Sequence, residues 1–268
     1  MDGIGRAEVG PPAGEGWLGL DAVVETGLER LFEAARSATT TRRPDYVGAS
    51  VAAALADALV GTAVPALLVE RRLPHTAPRN VSVLLPDSEL WFERVAVHRP
   101  HGYVLAADPA ADHPEVTPVA TLHDLHRQLA SLIVEAVSPW FAAIRERAPF
   151  GRRGMWGQLA DHLCGTALWT ARVAKLDQRR AWDEAQAVLD LIAESVPELR
   201  VRPRLFPVRW RGGETLCQVK GTCCLWYTTF DQPDIRGDGY CVTCPLRPDA
   251  VRVDRLRHWL DSEAESAG

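Results

Sequence analysis

The chain has 268 residues, enough for one large domain or two modest ones, each able to bury a core. Apolar residues make up 47% of it and charged residues 24%, an ordinary globular mixture, and the formal net charge of −5 supplies no basic surface. DNA and RNA are therefore not expected as partners.

The opening "MDGIGRAEVGPPAGEGW" carries an acid at position 2 and no apolar core, so it does not read as a secretory signal. Residues 1–16, rich in Gly and Pro, are expected to be disordered. From Trp17 to about Ser37, the spacing of Leu20, Val23, Val24, Leu28, Leu31 and Phe32 predicts an amphipathic helix. A second helix is expected from Tyr46 to about Val60. The apolar run from Val47 is interrupted by Asp57 and Pro65 and falls short of a membrane span. A cytoplasmic, reducing setting is the resulting expectation. There, clustered cysteines hold metal or do redox chemistry more often than they form structural disulfides.

From Asn80 the period shortens to two. Val81, Val83 and Leu85 alternate, "PDSE" offers a turn, and "LWFERVAV" alternates again through Val97, which predicts a β-hairpin. "YVLA" at 103–106 offers a third strand, and "ADPAADHPEVTP" reads as a loop. Leu122, Leu125, Leu129, Leu132, Ile133, Trp140, Phe141 and Ile144 then line one face of a long helix, with a kink expected at Pro139. Two more helices follow, in "GMWGQLADHLCGTALWTARVAKL" and "QRRAWDEAQAVLDLIAESV".

Beyond Pro197, "LFPVRWRGGETLCQVKG" alternates once more, and Gly212-Gly213 turns a second hairpin. "PLRPDAVRVDRLRHWLDSE" predicts a closing helix with Val253, Leu256, Trp259 and Leu260 inward. This order of elements argues an α+β fold, mostly helical with two β-hairpins: a helical and hairpin body over residues 17–200, then a C-terminal cysteine-bearing segment over 201–262 that carries the second hairpin.

That segment, "GTCCLWYTTFDQPDIRGDGYCVTCPL", holds Cys223, Cys224, Cys241 and Cys244. Four thiolates are the usual complement of a [2Fe-2S] cluster or of a structural zinc ion. In extended backbone neighbouring side chains point to opposite faces, so an adjacent pair suits one small ion poorly unless the chain bends sharply. A two-iron cluster is wider and reaches such a pair more easily. Zinc remains the alternative.

"TCCLWYTTF…YCVTCPL" resembles the C-terminal signature of the FhuF family of ferric-siderophore reductases, and the specific likeness covers about residues 205–260. Upstream, "GRRGMWGQLADHL" is similar to a helical segment of that family. Its best-known members have a shorter spacer than the sixteen residues found here between the two cysteine pairs. The resemblance implies that Cys223, Cys224, Cys241 and Cys244 ligate one [2Fe-2S] cluster. It implies an oxidoreductase of iron uptake that passes one electron to siderophore-bound Fe(III), hydroxamates being one candidate class, and releases Fe(II) in the cytosol. A peripheral contact with the inner face of the cell membrane is compatible with this role. The family is also related to the C-terminal part of siderophore synthetases, which implies a mixed helical and hairpin body.

No G-x-G-x-x-G follows a strand and no phosphate-binding G-x-x-x-x-G-K-[ST] is present, so electrons are expected from a separate donor such as a ferredoxin or a flavoprotein reductase. Trp226, Arg209 and Lys220 are candidate contacts for the chelate, since Arg forks and Trp faces hold oxygen-rich ligands. Lys220 and Arg247 are placed to tune the potential. Cys217 and Cys164 read as small buried side chains. His98 and His101, and His123 and His126, lack an H-E-x-x-H setting and are expected to be solvated. The competing functions are a zinc-stabilised binding protein without redox activity and a [2Fe-2S] electron carrier or sensor acting on a protein partner.

Overall fold

The computed structural model describes residues 7–38, 43–84, 90–92, 94–211, 213–231, 233–237 and 239–266. The expected disorder of residues 1–6, the "PDSE" turn and Leu85 lie outside them. Within the N-terminal stretch expected to lack structure, β1 (Ala7–Val9) is a strand, pairing in parallel with β5 (Arg94–Val97). β2 (Trp17–Gly19) replaces the start of the first expected helix and pairs antiparallel with β4 (Val81–Leu84). A five-residue π turn, Val23–Gly27, leads into α1 (Leu28–Ser37), which buries Leu28, Leu31 and Phe32 as the periodicity predicts.

The most apolar stretch becomes the longest helix, α2 (Pro44–Glu70). It runs ten residues beyond its expected end and contains Pro65. At about 1.5 Å per residue it spans roughly 40 Å. Its apolar residues occur on every face, and a helix of that kind must be surrounded. α2 accordingly packs on α1, on α3 (Leu122–Arg147) and above all on α4 (Arg152–Val173). α3 begins with a reciprocal capping box between Thr121 and Asp124 and continues without interruption past Pro139. α5 (Gln178–Ser195) is capped by the Asp177 carboxylate and packs on α3 and α4.

The predicted hairpin is formed by β4 and β5, with Val81 opposite Val97. Its second strand starts at Arg94, later than the alternation suggests, and the sheet order is β1-β5-β4-β2. The third expected strand, β6 (Gly102–Leu105), belongs to another sheet, between β3 (Arg72–Pro74) and β7 (Val116–Val119). β7 occupies part of the expected loop, because parallel pairing with β6 satisfies its backbone.

At the C-terminus β8 (Arg204–Trp210) and β9 (Gly213–Val219) form the second predicted hairpin, with Gly213 at φ +118° where the chain turns. α6 (Asp249–Ser266) packs on β8. Val208, Cys217, Leu256 and Leu260 make a small core there, separate from the main one. The fold is α+β, with the cysteine segment between β9 and α6.

Candidate metal centre

Two arms carry the four cysteines, one leaving β9 and one entering α6. The first arm is fixed by α4. Asp161, buried in the middle of that helix, accepts the N–H of Gly221 at 2.6 Å and of Thr222 at 3.1 Å. The arm lies directly on the helix, where a Cβ at Gly157 would collide with Thr222 Oγ1; on its other side a Cβ at Gly221 would lie 2.6 Å from the Arg202 carbonyl, in the segment before β8. Gln218 adds a hydrogen bond from its Nε2 to the Asp161 carbonyl at 3.0 Å. Burial pushes the Asp161 carboxyl up to about 7, against the opposing pull of the Gly221 and Thr222 N–H groups and of Lys220.

The chain bends sharply straight after the adjacent pair. Leu225 takes a left-handed conformation, φ +62° and ψ 9°, and starts the 3-10 turn Trp226–Thr229. A non-glycine residue adopts this region rarely, and it is the bend that an adjacent pair needs to address one site. It also removes the geometric objection to a single ion, so adjacency alone does not separate zinc from a two-iron cluster.

The second arm is joined to the first by a hydrogen bond from the Lys220 N–H to the Thr243 carbonyl, 2.9 Å, and is itself turned by the Cys244 N–H donating to the Cys241 carbonyl. The four sulfurs lie in a row of contacts. Cys224 and Cys241 Sγ are 4.0 Å apart, Cys241 touches Cys244, and Cys244 touches Cys223. The neighbouring Cys244 side chain draws the Cys223 pKa down despite burial, and the Leu225 N–H, donating to Cys223 Sγ at 3.4 Å, helps. Cys224 is pushed up by its contact with Cys241 and by burial. Among the described residues no three of His, Cys, Asp or Glu close on one point tightly enough to hold a single metal ion.

Lys220 is the cation of the site. Burial lowers its pKa, but Cys224, Cys241, Asp161 and Cys244 together outweigh that and raise it. Trp226 is 44% exposed and stands edge-on to the exposed Phe230, ring centroids 5.7 Å apart. Tyr227 of the first arm stacks on Tyr240 beside Cys241, 4.9 Å between centroids and nearly parallel. Arg209, by contrast, lies at the tip of the β8–β9 hairpin, paired with Glu214 at 3.1 Å. The length of β9, about 20 Å at strand rise, separates it from the cysteines, so Arg209 is not brought to the thiols.

Cys217 and Cys164 are buried as expected, Cys217 beside Arg172 at 3.9 Å and Cys164 beside Gln186 at 3.3 Å. One of the histidines expected to be solvated, His126, is not, and His98 is half-buried. His126 is buried against Glu184, 3.6 Å away, and His98 shares a 2.8 Å hydrogen bond with Ser82.

Sequence reasoning missed Asp161, although an acid midway between Gly157 and Gly165 on one helix face was a usable signal. No family model, curated protein or solved structure matches this chain.

Proposed function

We propose that this chain is a [2Fe-2S] oxidoreductase that delivers one electron to Fe(III) held by a siderophore, with Cys223, Cys224, Cys241 and Cys244 as ligands. The carrying observation is that two separate arms bring these four thiols into one row of contacts, three of them only part-buried, with Lys220 behind them. The donor set is of the kind the group takes: four sulfurs, and a cation that offsets their negative charge when ionised.

When bound, such a cluster supplies a one-electron couple, near roughly −400 mV in plant-type ferredoxins. The residues do the rest. Asp161 fixes the first arm, Leu225 turns it, and Lys220 favours added negative charge at the thiolates. Trp226 and Phe230 offer an exposed apolar face beside them on which a bulky chelate can rest. Hard oxygen donors hold Fe(III) more tightly than Fe(II), so reduction itself loosens the substrate metal. The electron comes from a separate ferredoxin or flavoprotein reductase, in a cytoplasmic setting that allows peripheral contact with the membrane.

Zinc is the second reading. Four thiolates are equally the complement of a structural zinc ion, and two thiolates on one tetrahedral zinc or iron stand about 3.8 Å apart in either case, so the Cys224–Cys241 separation does not distinguish the metals. Anaerobic purification with iron, sulfide and zinc analysis decides between them. The reductase reading requires two irons and two sulfides per chain, an EPR signal on reduction, and loss of that signal on mixing with a ferric siderophore. Stoichiometric zinc in a colourless protein sinks it. A reduced cluster that no ferric siderophore oxidises points to an electron carrier.

A further inference from the structure

Residues 225–240, between the two cysteine pairs, contain acids, prolines and glycines and read as a surface loop. The loop is nevertheless tied down from behind. Arg247, three residues past Cys244, is 2% exposed. Its guanidinium donates to the carbonyls of Tyr240 at 2.6 Å, Ile235 at 2.7 Å, Gly237 at 3.1 Å and Cys241 at 3.4 Å. Three of these carbonyls belong to the spacer.

Arg247 is itself braced. Arg252, fully buried in the first turn of α6, lies over the Phe206 ring and donates to the carbonyls of Cys244 and Arg247 at 2.7 and 2.6 Å. A rigid path thus runs from α6 through Arg252 to the backbone of the second arm, and from there through the Arg247 side chain to the spacer. The planar five-donor fork of arginine suits this task, whereas an ammonium has at most three donors and a different shape. Burying a guanidinium carries a desolvation penalty, which carbonyl dipoles and the sulfurs of Cys244 and Cys241 work against.

We propose that Arg247 is the positioning residue of this centre: its buried guanidinium straps the spacer beside the four cysteines, and its charge favours the more negative, reduced state of the group they hold. The second half rests on the [2Fe-2S] reading; the strap does not.

The test uses the full chain with Arg247→Gln and Arg247→Lys. Amide hydrogen exchange over residues 233–240 reads the strap without any metal. At least tenfold faster exchange is expected in both variants, with α2 amides unchanged; spacer exchange equal to wild type in either variant overturns the strap. A redox titration reads the charge. Arg247→Gln is expected to hold about tenfold less reduced form at a fixed potential, a shift of about 59 mV, while Arg247→Lys stays near wild type.

Equal potentials in Arg247→Gln and wild type overturn the electrostatic half. If Arg247→Gln also loses α2 protection, Arg247→Lys decides alone: a loosened spacer at wild-type potential supports the proposal, and a potential that falls with it overturns the charge role. A wild-type protein without iron and sulfide sinks the cluster reading and the charge role with it, while the exchange data still judge the strap.

Discussion

The Asp161 carboxylate, buried halfway along α4, accepts the Gly221 N–H at 2.6 Å, two residues before the first cysteine of the adjacent pair. With the Thr222 N–H also on this carboxylate, one helical side chain sets where the first arm starts. Asp161→Ala leaves two backbone donors without an acceptor, at about 1–3 kcal/mol each. A stability loss of about 2–5 kcal/mol in urea denaturation is expected, with lower metal content in the purified protein. Asp161→Asn keeps one acceptor oxygen and should lose less on both counts. Equal effects of Asn and Ala would show that the carboxamide oxygen cannot hold the arm.

Gly157 tests the same contact from the helix side. An added Cβ meets Thr222 Oγ1, so Gly157→Ala forces the arm away from α4 at about 1–3 kcal/mol. Removing the obstructing hydroxyl should relieve this. Gly157→Ala with Thr222→Ala is therefore expected to recover most of the lost stability, giving a coupling of about 1 kcal/mol or more in a double-mutant cycle. Additive single effects would mean that the two residues do not press on each other.

Among the cysteines the structure separates four from two. Cys217→Ala removes a thiol from the small core under α6, where its neighbour is Arg172, and should cost about 1 kcal/mol while leaving metal content and spectrum intact. Cys223→Ser removes one end of the sulfur row and, on the cluster reading, should abolish the wild-type spectrum. Iron lost in Cys217→Ala, or an unaltered spectrum in Cys223→Ser, would reassign the ligands.

The sequence showed best those elements whose pattern is local. The valines of β4 and β5, the leucine stripe of α3 and the turn glycine Gly213 of the second hairpin each carry their own period or turn chemistry within a few residues. Trp17–Gly19 was misread because its apolar run fits a helix as well as a strand; pairing of Trp17 with Leu84, far along the chain, decides for the strand. The end of α2 was misplaced because Pro65 normally breaks a helix, but here the flanking turns are packed by neighbouring helices.

At the site, cysteine announces itself by residue type and spacing. Asp161 does not, because its partners are backbone amides sixty residues later. Arg247 was visible as a charge near the cysteines, but its grip on four carbonyls was not, since backbone acceptors leave no mark in a sequence.

Glu184 supplies a test of the helical body, in a network with no cysteine. Burial pushes its carboxyl up, but His126 and Arg71 outweigh burial and hold it down at about 2. Arg71 lies 2.5 Å away at the end of α2 and Arg180 3.1 Å away one turn back along α5. A carboxylate whose folded pKa lies below its unfolded value of 4.5 contributes stability above that value and loses it as pH falls towards 2.

For a group this well buried the contribution is on the order of 3 kcal/mol at neutral pH. Glu184→Gln should therefore be about 3 kcal/mol less stable than wild type at pH 7, by urea denaturation. The gap should narrow steadily from about pH 4.5 downward, because the protonated wild-type carboxyl offers His126 and Arg71 no more than the amide does. A gap that stays constant from pH 7 to pH 2.5 would show that the network holds α2, α3 and α5 together by shape, with the charge of Glu184 contributing nothing.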